Sequence, residues 1–157
     1  FLLSNVYLLR HIENGKYFIW LVFISAWACD TGAYFIGINF GKHRLTPKLS
    51  PKKSVEGAVG GTLTAVAAGF LFGWALTYFI PEYKGLHLAI GGAIVCFAGS
   101  VFAQFGDLTA SAIKRYKDIK DFGKILPGHG GVLDRFDSVI FTAPVVYLTI
   151  LSLQGLY

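Results

Sequence analysis

Chemistry is concentrated between Ser111 and Ser138, where the chain reads SAIKRYKDIKDFGKILPGHGGVLDRFDS. Six of the 14 Lys and Arg residues lie here: Lys114, Arg115, Lys117, Lys120, Lys124 and Arg135. Among them stand four acids, Asp118, Asp121, Asp134 and Asp137, and one histidine set between glycines, Gly128-His129-Gly130-Gly131. Glycines let backbone N–H groups come close to an anion, Lys and Arg neutralise phosphate, and Asp holds a hard divalent cation such as Mg²⁺. Those residue types together suit a site that handles metal-bound phosphates. The same composition would also make an ordinary basic loop of a membrane protein.

Spacing adds to this. Asp134 and Asp137 are three apart at the start of an apolar segment, so a helix beginning there places both on one face near its positive end. Two carboxylates held that way repel and favour a cation between them. Upstream, Asp107, Ser111 and Lys114 are spaced four and three apart, which stacks a carboxylate, a hydroxyl and an ammonium on one helix face. A plain intrahelical pair between Asp107 and Lys114 is the alternative, although two turns separate them. Asp30 lies inside a long apolar run, where an ionised Asp costs about 2.5–3.5 kcal/mol on insertion scales, so it must face protein, water or a cation.

The elements that carry these residues belong to a membrane. The 157 residues are 54% hydrophobic and only 15% charged, with a mean hydropathy of +0.56; soluble domains carry about a quarter charged residues. Four apolar segments near 17–40, 57–80, 88–113 and 134–153 are each about the 20 residues a bilayer requires. The expected fold is all-α, a polytopic membrane helix bundle of about four transmembrane helices with two basic cytoplasmic loops, forming a single membrane-embedded domain over 1–157. Phe1 to Leu9 is apolar but too short to span, suiting an interfacial helix or the tail of a spanning one. Asn14-Gly15 marks a turn. Gly41 to Glu56 reads as a basic loop, its Pro47 and Pro51 unsuited to a helix interior. Gly37 to Lys42 is no P-loop, since the glycine spacing is short and His43 stands where Ser or Thr should be. Gly57/Gly61 and Gly69/Gly73 form GxxxG faces for close helix packing, and a homodimer through such faces is a further expectation. Cys29 and Cys96 read as small buried hydrophobes. The chain opens at Phe1 and contains no methionine, as expected of an internal or C-terminal piece whose parent has further N-terminal spans. The loops after the first and third spans are basic, and the one between the second and third is nearly neutral, which puts both site loops on the cytoplasmic face.

Ser111, Lys114-Arg115, Lys120-Asp121, Gly123, Leu126-Pro127, His129-Gly130-Gly131 and Asp134-Arg135-Phe136-Asp137 together resemble the signature of the phosphatidate cytidylyltransferase, or CDP-diacylglycerol synthase, family. The resemblance extends to Asp30-Thr31-Gly32-Ala33-Tyr34, to Ser50-Pro51-Lys52-Lys53-Ser54 with Glu56-Gly57, and to Gly106-Asp107, and so covers about Trp27 to Ser138. It implies a nucleotidyltransferase of phospholipid biosynthesis that makes CDP-diacylglycerol and pyrophosphate from CTP and phosphatidate.

On that footing Asp107, Asp134 and Asp137 are the expected metal ligands, with Asp30 a further candidate. The ion expected is Mg²⁺, one or two, with a monovalent cation as another occupant. Lys114, Arg115, Lys120 and Arg135 are expected on triphosphate or lipid phosphate, with His129 donating to a phosphate oxygen or fixing the glycine turn. Ser50, Lys52, Lys53, Ser111 and the N–H groups of Gly128, Gly130 and Gly131 complete the substrate contacts. Expected partners are CTP, phosphatidate and the lipid bilayer, with no nucleic acid. The expected location is a bacterial inner membrane, the site facing the cytoplasm. Two alternatives stand beside this: a related CTP-using transferase or kinase acting on another lipid, and a transporter with Asp30 and Asp107 as ion sites. Against the transporter, the sequence shows no inverted repeat.

Overall fold

The computed structural model describes residues 2–47, 49–80, 85–119, 121–123 and 133–154, without the side chains of Pro51, Lys52 and Arg135. Seven elements follow in order: α1 (Ser4–His11), α2 (Gly15–Phe40), β1 (Arg44–Thr46), β2 (Ser50–Ser54), α3 (Val55–Leu76), α4 (Gly85–Tyr116) and α5 (Leu133–Gln154). Four of the helices are long and apolar enough to cross a membrane, as the hydropathy of the sequence requires. Their outer faces carry Trp20, Trp27, Leu63, Leu71, Phe97, Phe105 and Leu148, all exposed. A surface this apolar suits lipid and not water. Inside, Leu9, Val22, Val95, Val139 and Val146 are buried, and Cys29 and Cys96 are free and buried among them.

The helices alternate in direction, so one end of the bundle collects the C-termini of α2 and α4 and the N-termini of α3 and α5. α4 has 32 residues and so rises about 48 Å, against a hydrocarbon core of roughly 30 Å. The surplus carries Lys114 and Arg115 beyond the apolar layer.

Close approach of α3 to both neighbours rests on its glycines. A Cβ on Gly61 would stand 2.5 Å from the Cys29 carbonyl oxygen, and one on Gly57 2.8 Å from that of Ala33, both on α2. On the opposite face Gly69 and Gly73 meet the backbone of α4 at Gly92 and Leu88. This corrects the homodimer expectation for these faces: they are filled by the chain's own helices.

Other differences from the sequence reading are local. The 41–56 segment is not all loop, because β1 and β2 pair antiparallel, with a slip in register between Arg44↔Ser54 and Thr46↔Ser50. Ser-Pro-Lys-Lys-Ser has little strand propensity, and neighbouring contacts impose the hairpin. The segment near 57–80 stops as a helix at Leu76, where the Thr77 hydroxyl bonds the Trp74 carbonyl at 2.7 Å. The next amides then reach back only three residues, Thr77 to Trp74 and Tyr78 to Ala75. The apolar N-terminal stretch forms the eight-residue α1, joined to α2 through Asn14 in the left-handed region at φ 57°.

Gly61→Val should lower the melting temperature of the full-length protein in detergent by several degrees, since overpacking a tight contact typically costs about 1–3 kcal/mol. Gly91→Ala is the control, because a Cβ there meets only the Leu153 side chain at 3.9 Å. Equal melting of both variants would contradict the packing account.

Candidate active site

Polar residues converge on the end of the bundle where the hairpin lies. Asp30 of α2, Asp107 of α4 and Asp137 of α5 stand within electrostatic reach of one another. Like charges so close need counter-charge, and β2 delivers it: Lys53 forms an ion pair with Asp107 and also acts on Asp30. Ser138, buried at the second turn of α5, sets its hydroxyl 3.4 Å from both Asp30 Oδ2 and Asp137 Oδ1. Its N–H donates to Asp137 Oδ1 at 2.7 Å.

Asp134 has different surroundings from Asp137, although the two are three residues apart. Lys114 Nζ reaches Asp134 Oδ1 at 3.0 Å, and the Phe122 N–H donates to Oδ2 at 2.9 Å. Lys114 reaches it from the last turn of α4, and Phe122 follows a left-handed reversal at the end of that helix. Asp118 has φ 52° and the Ile119 N–H bonds the Lys114 carbonyl at 3.0 Å, a Schellman closure that turns the chain back over the helix ends. The intrahelical alternative between Asp107 and Lys114 is not what forms; each takes a partner from another element.

The hairpin is locked in place at both ends. Ser54 caps α3, its Oγ accepting the Gly57 N–H at 3.1 Å, which satisfies one orphan donor of the first turn. The Glu56 carboxylate accepts the N–H groups of Lys42 and His43 at 3.1 and 3.2 Å and pairs with His43 Nδ1 at 2.6 Å. At the turn, Arg115 Nε donates to the Leu49 carbonyl at 3.4 Å. Between hairpin, α2, α3 and α4 lies a cavity of about 270 Å³, lined by Asp30, Tyr34, Ser50, Lys53, Gln104 and Asp107 among others.

The structure thus brings together Asp30, Ser50, Lys53 and Asp107 around one cavity, with Asp137 behind them. It also holds Lys114 against Asp134 beside that group. Ser111 is half-buried one turn past Asp107. Lys120, Gly128, His129, Gly130 and Gly131 lie outside the described residues, as do the side chains of Lys52 and Arg135. Gln104 and Ser138 were not singled out from sequence; each lies on the same helix as a predicted acid, three residues and one residue away, which is the signal that points to them. The carboxylate set has the hard oxygen chemistry that Mg²⁺ prefers. Among the described residues, no three His, Cys, Asp or Glu side chains close into a metal-binding group, with Asp107 and Asp134 each turned to a lysine.

Four helices long and apolar enough to cross a membrane, three of them lining a polar cavity with the hairpin, define a multi-pass membrane protein. The chain belongs to the cytidylyltransferase family, whose family model matches residues 1–153. It is 43% identical over 140 residues to a phosphatidate cytidylyltransferase of Bacillus subtilis (strain 168), covering 88% of this chain and 49% of that protein. To the phosphatidate cytidylyltransferase of Staphylococcus aureus (strain COL) it is 40% identical over 143 residues, 91% of this chain and 52% of the relative. To that of Staphylococcus saprophyticus it is 38% identical over 148 residues, with shares of 94% and 54%. The chain spans about half the length of the curated relatives it matches.

Glu56→Ala should free the Lys42–His43 backbone and loosen the hairpin. Limited proteolysis of the full-length protein in detergent is then expected to cut within 41–53 several-fold faster, with far-UV helicity unchanged. Cleavage at the unaltered rate would show that Glu56 does not anchor the hairpin.

Proposed function

We propose that the protein containing this chain is a phosphatidate cytidylyltransferase, joining the cytidylyl group of CTP to phosphatidate to give CDP-diacylglycerol and pyrophosphate. The observation that carries this reading is the meeting of Asp30, Asp107, Asp134 and Asp137 with Lys53 and Lys114 at one end of a membrane bundle. The names of the relatives supply the substrate pair. The site faces the cytoplasm of a bacterial inner membrane, in line with the basic loops at that end, and the lipid substrate enters from the bilayer.

A phosphate oxygen of phosphatidate attacks the α-phosphorus of CTP. One P–O bond forms, the α–β bridging P–O bond breaks, and pyrophosphate leaves with the electron pair. The nucleophile is already an anion, so no side chain has to remove a proton from it. Catalysis then rests on positioning and charge neutralisation. Lys53 and Lys114 move from their carboxylates to phosphate oxygens as the nucleotide enters. Arg115, Lys120, Arg135 and Lys52 add positive charge around the two phosphates, and Ser50 and Ser111 donate hydroxyl hydrogens. His129 and the Gly128, Gly130 and Gly131 N–H groups donate to phosphate oxygens. Asp107 and Asp134, freed of lysine, would hold Mg²⁺ together with Asp137, and the ion would supply neutralisation of phosphate charge. Asp30 would be a further ligand, to Mg²⁺ or to a monovalent cation.

The test is conversion of labelled CTP and phosphatidate by the full-length protein in detergent, with and without Mg²⁺. Metal-dependent CDP-diacylglycerol is expected, reduced about 10²-fold or more by Asp134→Asn, the scale on which single electrostatic groups act. Near-wild-type turnover by Asp134→Asn would contradict its assignment. Well-folded protein that binds CTP but yields no product would point to another lipid acceptor, and absence of CTP binding would favour a transporter.

A further inference from the structure

Gln104 is a polar group of the cavity that the reaction above leaves unused. Gln104 sits on α4 one turn before Asp107 and lines the same cavity. Its Nε2 donates to Thr62 Oγ1 at 2.9 Å and to the Ala58 carbonyl at 3.1 Å, with Cys29 Sγ at 3.4 Å. A backbone carbonyl can only accept, so the Ala58 contact fixes which end of the amide points to α3. Both Nε2 hydrogens are thereby spent. Oε1 accepts no hydrogen bond among the described residues, yet it is not a sealed, unsatisfied atom. Gln104 therefore presents a fixed acceptor that cannot swap for a donor.

An acceptor locked in this way reads a donor. The ligands proposed for the site offer few: the exocyclic amine of cytosine, the ribose hydroxyls, and water. The other lining distinguishes among them. Tyr34 and Ala33 of α2 and Ala58 of α3 line the same cavity as Gln104. An aromatic residue beside an edge-reading acceptor is a combination by which proteins recognise a single base. Lys53 and Ser50, on the hairpin wall, provide the phosphate-binding chemistry instead.

We propose that Gln104 is a specificity-determining residue, its Oε1 accepting from the cytosine amine and so selecting CTP over UTP. Uracil places a carbonyl where cytosine has the amine. Two acceptors would then face each other with no hydrogen between them, and a site built for a donor rejects such an analogue strongly. Thr62 is the positioning residue, since its hydroxyl holds the amide in register. The inference rests on CTP being the substrate.

The experiment measures equilibrium binding of CTP, UTP and 2′-deoxy-CTP to the full-length protein in detergent with Mg²⁺. The native protein should prefer CTP to UTP by about 10²-fold and bind 2′-deoxy-CTP nearly as well as CTP, because an unpaired buried acceptor is costly and the amine is the group read. Gln104→Leu should bring the CTP/UTP ratio to about threefold or less while UTP affinity is retained, a change that general loss of packing would not produce. Thr62→Val, which keeps volume, should lower the ratio part of the way and serves if Gln104→Leu does not fold. An unaltered CTP/UTP ratio in whichever variant folds would overturn the inference. A large loss of affinity for 2′-deoxy-CTP with none for UTP would overturn it in favour of a ribose contact. Failure of the native protein to bind any of the three would instead overturn the proposed function itself.

Discussion

Carboxylates set inside the end of an apolar bundle must be given positive charge, and the arrangement of this protein follows from that requirement. A single uncompensated Asp at bilayer depth costs about 2.5–3.5 kcal/mol. Here Asp30, Asp107 and Asp137 repel one another, and Asp134 is nearby on the same helix as Asp137. Lysines on separate elements answer two of them, Lys53 from β2 to Asp107 and Lys114 from α4 to Asp134. Breaking such a part-buried pair leaves a charge uncompensated.

Everything around the cavity serves to bring those lysines in. Glycines on α3 draw it against α2 and α4, which brings Asp30 and Asp107 to one cavity. Ser54 and Glu56 at the head of α3 hold the hairpin whose Lys53 reaches across. The left-handed turn at Asp118 precedes Phe122, whose N–H meets Asp134 beside the Lys114 ammonium from the last turn of α4. Helix packing, capping and turn chemistry thus act on the same few ångströms.

Much of this was legible in the sequence. The four spans could be read because apolar runs of that length have few other uses, and their ends fell within a few residues of α2, α3, α4 and α5. Ser111–Ser138 declared itself by its charge and glycines. The hairpin could not be read, because Ser50–Ser54 carries proline and lysines and pairs only where Glu56 and His43 hold it. Nor could the ion pairs: spacing stacks Asp107 with Lys114, whereas the folded chain crosses them to Lys53 and Asp134. Spacing along a helix shows which residues share a face, but the partner on the next element depends on packing. Gln104 lay hidden for the same reason, its three contacts coming from α2 and α3.

Lys53 and Lys114 hold Asp107 and Asp134 in the free protein, and under the proposed function they yield them when metal and triphosphate arrive together. Binding of Mn²⁺, in place of Mg²⁺, to the full-length protein in detergent tests it by electron paramagnetic resonance. Weak binding alone, strengthened by CTP, is expected of the native protein. Lys53→Met should strengthen Mn²⁺ binding in the absence of nucleotide, because Asp107 is then free, while weakening that of CTP. Mn²⁺ binding that is unchanged or weakened by Lys53→Met would contradict the account.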